Sequence, residues 1–324
     1  MKKNGLFFLL GLAMFLLSNC KERAKDPYRI FYINSYHQGY GSSDDIMTGL
    51  HKVLDDAPVV LEKFFMNTKI ENEKEQILKK TEEALAKIEA FDPDIIIASD
   101  DDAVKYLIEP YFKNTKMPVI FCGVNWTADQ YGLPVKNVTG MLEVLPIDES
   151  IDILNTYFPE AKQLLILSEL SPAETKNKEV LDPVFRGRGL KPSYALVEDF
   201  EDWKAAFENA MVDYDVVYIP TNGAIKNWNH DEAVDFVAEN ISKPVFTCDD
   251  FMMPYAVFGL TKIAEEQGEW SANAALNVLK GIQDISEIEL TKNVRSKSWI
   301  NLKLAEKVGF EPSQELVNES ELIK

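Results

Sequence analysis

Short apolar runs alternate along this chain with longer stretches of mixed polarity. The first half carries Arg29-Ile-Phe-Tyr-Ile-Asn34, Asp94-Ile-Ile-Ile-Ala-Ser99 and Pro118-Val-Ile-Phe-Cys122. The second half carries Gln163-Leu-Leu-Ile-Leu-Ser168, Asp215-Val-Val-Tyr-Ile-Pro220 and Pro244-Val-Phe-Thr-Cys248 at similar offsets, which suggests a duplicated architecture. Continuous runs of this length are the mark of strands buried on both faces of a parallel sheet. Between them Ile70, Ile77, Leu78, Ala84, Leu85, Ile88 and Phe91 recur at helical spacing opposite Glu and Lys. Ser43 is expected to cap a helix carrying Ile46, Leu50, Val53 and Leu54, and Ser99 one carrying Val104, Leu107 and Ile108. Ser171-Pro-Ala-Glu174 has the capping-box pattern. Alternation of strand and helix predicts an α/β protein of two doubly wound parallel-sheet lobes joined by hinge strands. The expected division is residues 28–124 with 250–282 in the first lobe and 125–249 with 283–318 in the second.

The N-terminus departs from this alternation. Lys2 and Lys3 precede a run from Leu6 to Leu17 that is apolar apart from Gly11, and Leu17-Ser18-Asn19-Cys20 resembles a bacterial lipobox. So short an apolar run predicts a signal peptide over residues 1–19 and not a spanning helix. Cys20 is then the lipidated residue, residues 20–27 a charged tether, and the globular part is anchored on the periplasmic or extracellular face of a bacterial membrane. The 324-residue chain has a net charge of −19, so no basic face is available for nucleic acid. Beyond Cys20 only Cys122 and Cys248 remain, which excludes a disulfide framework and favours buried thiols.

In open α/β sheets ligands bind at the carboxyl ends of strands. That rule selects the loops Asn34 to Tyr40, Ser99 to Asp102, Gly123 to Trp126, Thr221 to Gly223 and Asp249 to Phe251. Asp100, Asp101 and Asp102 suit the first turn of a helix, where their charge offsets the dipole and opposes an anion. An amine-bearing ligand fits such ends better than phosphate. Tyr36, Tyr40, Trp126, Phe251 and Tyr255 offer rings for stacking or for lobe packing. His37, His51 and His230 have no metal-ligand spacing, and neither GxGxxG nor GxxxxGK[ST] occurs, so no metal or cofactor is expected. No nucleophile–base pair is visible. An extracytoplasmic enzyme using paired aspartates therefore ranks behind a binding protein.

Asn34-Ser-Tyr-His37 with Gly39-Tyr40 and Ser43-Asp44, Pro93-Asp-Ile-Ile-Ile97, Pro118 to Val124, Asn137-Val-Thr-Gly140, Pro244-Val-Phe246 and Ile300 to Ala305 together resemble the substrate-binding proteins of ABC transporters. The resemblance is to the branch with a type I periplasmic-binding fold that includes aromatic amino-acid binders and extracytoplasmic sensor modules, and it runs from about Tyr28 to Pro312. It implies two lobes closing on a small solute that is presented to an ABC permease or to a membrane sensor; taken with the acidic helix ends, the ligand expected is an amino acid or other amine-bearing solute. The binding loops it implies fall on Ser35, Tyr36, Ser99, Asp100, Asp101, Asn125, Thr221, Asn222 and Asp249, to which the ring positions add Tyr40 and Trp126. Ser99-Asp-Asp-Asp102 departs from the small turn of the transporter branch, and so from its carboxylate-binding chemistry.

Overall fold

A computed structural model describes residues 27–68, 70–71 and 73–324, so the expected signal peptide, Cys20 and nearly all of the tether lie outside the described residues. Two sheets form the scaffold. In the first, β1 (Tyr28–Asn34), β2 (Val59–Phe65), β3 (Ile95–Ser99), β4 (Val119–Asn125) and β5 (Val138–Glu143) run parallel in the order β5-β4-β3-β1-β2. In the second, β6 (Gln163–Glu169), β7 (Lys191–Val197), β8 (Val216–Tyr218), β9 (Val245–Thr247) and β10 (Phe258–Lys262) give β10-β9-β8-β6-β7. The late strand β11 (Thr291–Lys292) joins β5 at the edge of the first sheet, while β12 (Ser296–Asn301) pairs antiparallel with β10 and carries β13 (Ser320–Ile323) outside it. The α/β class and the two doubly wound lobes expected from sequence are what the chain adopts.

The alternation within β1 builds both faces of the first sheet. Phe31 and Ile33 pack with Ile96, Ala98, Phe121 and helix Lys74–Phe91, whereas Ile30 and Tyr32 pack with Ile95, Ile97, Ile120 and helices Gly41–Leu54 and Glu265–Leu279. Those last two helices approach very closely. A Cβ at Gly49 would strike the Glu265 carbonyl, and one at Gly268 the Ile46 carbonyl, so glycine is what permits the contact. The second lobe has one continuous core around Trp203, Tyr218, Phe246 and Phe258.

Several sequence expectations are corrected. Val138–Glu143 lies in the first sheet and Phe258–Lys262 in the second, the reverse of the expected lobe division, because β5 continues beside β4 and β10 beside β9. Ile70 precedes its helix and is 65% exposed. Ser43 sits inside its helix, buried, and its hydroxyl donates to Asn34 and not to a helix end. Ser99 is the last residue of β3, and Asp100 occupies the cap position without a side-chain cap bond. Ser171 does accept from the Glu174 amide at 3.2 Å, but the Glu174 carboxylate turns inward to Ser168 and Asn177, so the reciprocal half of the capping box is not made.

Three segments cross between the sheets: β5 into helix Ile147–Tyr157, β10 into helix Glu265–Leu279, and β11 into β12. They are tied to one another. Asn293 accepts from the Val144 amide at 2.7 Å and donates to its carbonyl at 3.1 Å, and the Glu266 carboxylate accepts from the amides of Val294 and Arg295. Three bonded crossovers restrict relative motion of the lobes to bending about this point.

Candidate functional site

The strand order reverses around β1 in the first sheet and around β6 in the second, and the loops that diverge there face the cleft. Asn34, fully buried at the end of β1, sets the first loop. Its Oδ1 accepts from the Tyr36 amide at 2.8 Å and the Ser43 hydroxyl at 3.1 Å, and its Nδ2 donates to the Tyr32 hydroxyl at 2.6 Å. The turn brings the rings of Tyr36 and Tyr40 edge to face, with centroids 4.9 Å apart. Ser35 lies beneath them. Its hydroxyl donates to the Ser99 carbonyl and accepts from the Ala103 amide, both at 2.8 Å, so it joins two strand ends and caps the following helix.

Asp100 follows β3 in an unusual backbone conformation, φ 73° and ψ 166°, a region that is nearly glycine-only. Its side chain is 4% exposed, and Oδ2 accepts from the Ser99 hydroxyl at 2.9 Å. Among the described residues no donor reaches Oδ1. Gly123 makes room for it: φ is +73° there, and a Cβ would stand 2.9 Å from Oδ1. Burial, and then the nearby Glu143 carboxylate, push Asp100 up to about 8. Asp101 has a different task. Its carboxylate accepts from the Asn125 amide at 3.2 Å, from Asn125 Nδ2 at 2.9 Å and from the Tyr131 hydroxyl at 2.6 Å, and so positions Asn125.

The hinge supplies the back of the cleft. Glu143 ends β5 and Lys262 ends β10, and the two meet with Nζ 2.5 Å from Oε1. Gln267 Nε2 donates to the other Glu143 oxygen at 2.8 Å, while Gln267 Oε1 accepts from the Gly123 amide. Burial alone would lower the Lys262 ammonium, but Glu143, Asp249 and Asp100 outweigh it and hold it firmly charged. Asp249 comes from the second lobe, after β9. Burial raises its carboxyl to about 6 despite Lys262. No hydrogen bond to its carboxylate is made by any described residue.

These groups line a cavity of about 490 Å³ that also takes in Tyr36, Tyr40, Asp45, Asn125, Cys248, Asp250, Phe251 and Thr261. A narrower extension of about 120 Å³ reaches Trp126, Leu145 and Asn177. Trp126 Nε1 donates to Asn177 Oδ1 on helix Pro172–Gly187 at 3.0 Å, which links the lobes across the extension. Cys122 and Cys248 are free and buried, and burial pushes both thiols up to about 12, so neither is a nucleophile at neutral pH.

Of the residues expected from sequence, Tyr36, Tyr40, Asp100, Asn125 and Asp249 line the cavity and Trp126 its extension. Ser35 and Ser99 lie underneath with their hydroxyls bonded inward, and Asp101 stands behind Asn125. Thr221 and Asn222 do not line it. The Thr221 carbonyl instead accepts from Ser168 at the carboxyl end of β8. Sequence reasoning missed Glu143, Lys262, Thr261 and Asp45. Glu143 and Lys262 each end a strand whose run is interrupted by glycine and threonine, which hid them from a search for continuous apolar segments.

Two lobes hinged at three crossovers, with a polar cavity between strand ends, define a two-lobed binding protein. Residues 40–323 match the family of ABC transporter substrate binding proteins, and the chain belongs to that family. The fold is shared with the ligand-free, open structure of CD0873, a substrate binding protein with adhesive properties from Clostridium difficile, at TM-score 0.71 and 15% identity over 92% of this chain and 99% of that one. It is shared too with the ABC domain in complex with L-Trp from Streptococcus pneumonia, at TM-score 0.63 and 17% identity over 92% and 100%. A periplasmic solute binding protein from Actinobacillus succinogenes with bound D-allose aligns at TM-score 0.57 and 15% identity over 84% and 96%. No curated protein matches the chain. The family is one of substrate-binding proteins. Among the described residues no cluster suits a metal ion, and no helix is long and apolar enough to cross a membrane.

Proposed function

We propose that the protein is a lipid-anchored extracytoplasmic solute-binding protein that closes on a small amine-bearing ligand and delivers it to an ABC importer. The observation that carries the reading is the cavity itself. It opens between the lobes at the strand ends, and its carboxylates outnumber its ammonium groups, so a cation gains from entering it. Tyr36, Tyr40, Asp100 and Asn125 hold the ligand from the first lobe, Asp249 from the second, and Trp126 beside the hinge. Closure follows from binding only as far as the closed form binds more tightly than the open one, which contacts from both lobes provide.

The test is a calorimetric titration with the Asp249→Ala variant. Losing a charged hydrogen-bond partner should weaken ligand binding by about 1–3 kcal/mol. Unchanged affinity removes Asp249 from the site. The anchor is tested separately. The wild-type chain should fractionate with membranes and carry a diacylglyceryl mass on Cys20, and Cys20→Ala should be released.

A further inference from the structure

We propose that the cleft takes a ligand with two ammonium groups, a linear α,ω-diamine or polyamine, with one end at Asp100 in the first lobe and the other at Asp249 in the second. The inference rests on the solute-binding reading and specifies its ligand.

The charge count comes first. Five acidic side chains line the cavity, those of Asp45, Asp100, Glu143, Asp249 and Asp250, against the single ammonium of Lys262. Asp100, raised to about 8, holds its proton at neutral pH in the empty cleft and releases it to solvent when an ammonium arrives. Lys262 and Glu143 neutralise one another at 2.5 Å, and Gln267 completes the Glu143 oxygens. Of the two deepest carboxylates that remain, Asp100 has one oxygen without a donor and Asp249 has neither oxygen bonded, although both line the cavity and Asp100 is 4% exposed. Neither residue has a fully buried atom left without a partner, so these oxygens open onto the cavity, where an incoming ammonium N–H gives them a charge-assisted partner. Because the two acceptors stand on different lobes, one ammonium completes one lobe and two complete both.

The walls between them suit a methylene chain. Tyr36 and Tyr40 present paired rings on one side, and Phe251 stands at the mouth, 52% exposed. Such rings take alkyl stems against their faces and ammonium groups by cation–π attraction. The strained backbone of Asp100 points the same way. A conformation this costly persists where the surrounding structure enforces it, and here it sets a carboxylate at the floor of the cleft. A zwitterionic amino acid fits less well. The one ammonium in the lining, Lys262, is already paired with Glu143, and Asp100 and Asp249 stand near it, so a carboxylate there meets net negative charge.

Calorimetry and small-angle scattering on the full chain decide the matter, with putrescine, cadaverine and spermidine set against n-butylamine, L-tryptophan and D-ribose. A diamine should bind at least tenfold more tightly than butylamine and reduce the radius of gyration. Asp100→Asn and Asp249→Asn should each cost the diamine tenfold or more while changing butylamine affinity by clearly less in at least one variant. Closure on L-tryptophan or D-ribose with no diamine binding overturns this inference and leaves a solute-binding protein. Diamine affinity equal to that of butylamine, or unaltered in both folded variants, also overturns it. If no compound binds and a total metabolite extract produces no closure, the solute-binding reading falls as well.

Discussion

Asp100 is buried as a carboxyl whose proton affinity the fold has raised, and that leaves a pH signature. Its ordinary value of 3.8 rises to about 8 in the folded protein. Between those limits the native state binds a proton that the unfolded chain has released, so stability is fullest below the ordinary value and falls as pH rises towards 8. One proton corresponds to a slope of about 1.4 kcal/mol per pH unit, or about 3 kcal/mol between pH 5 and 7. Asp100→Asn keeps the size and removes the titration, and any backbone strain at this φ and ψ is independent of pH and drops out of the slope. Asp249, raised in the same direction, is present in both proteins and cancels in the difference. Urea denaturation of ligand-free wild type and variant at pH 5, 6 and 7 measures that difference. The variant should gain on the wild type by about 1.4 kcal/mol for each unit. A gap that stays constant with pH would refute the claim that Asp100 is desolvated beside Glu143.

Other changes probe the surroundings. Lys262→Met strands Glu143, Asp249 and Asp100 without their shared cation and should cost about 3–5 kcal/mol by chemical denaturation, with much of the loss recovered in the Lys262→Met/Glu143→Gln double variant. Gly123→Ala places a methyl 2.9 Å from Asp100 Oδ1 at positive φ and should destabilise by about 1–3 kcal/mol; a stability equal to wild type would mean that the Asp100 loop moves freely. Trp126→Phe keeps the ring but loses the bond to Asn177, worth about 1 kcal/mol, and scattering on the ligand-free protein should show a more open average.

The fold was legible where burial is two-sided. The strands β1, β3, β4, β6, β8 and β9 were read as continuous apolar runs because helices cover both of their faces. Val59–Phe65 escaped because it is an edge strand with only Phe64 buried, and its Glu62 and Lys63 break the run. Lys191–Val197 escaped for the same reason on the other sheet. The site was legible as far as the strand-end rule reaches, which is why Tyr36, Asp100, Asn125 and Asp249 were found together. Glu143 and Lys262 were not, because the pair joins residues 119 positions apart and exists only once β5 and β10 meet at the hinge. The same rule overreached at Thr221 and Asn222, since it names every strand end and cannot say which ends the cavity touches.

Solute capture as proposed requires two lobes that close over a small molecule held between Asp100 and Asp249. Spin labels on cysteines introduced at Val60, on the outer edge of the first lobe, and at Val212, on helix Phe200–Asp213 of the second, report that movement directly. With Cys20 replaced, the native Cys122 and Cys248 stay unlabelled because both are fully buried. Pulsed dipolar spectroscopy should show a broad distance distribution without ligand and a shorter, narrower one with saturating putrescine. An identical distribution in the two samples, with binding confirmed by calorimetry, would contradict the account.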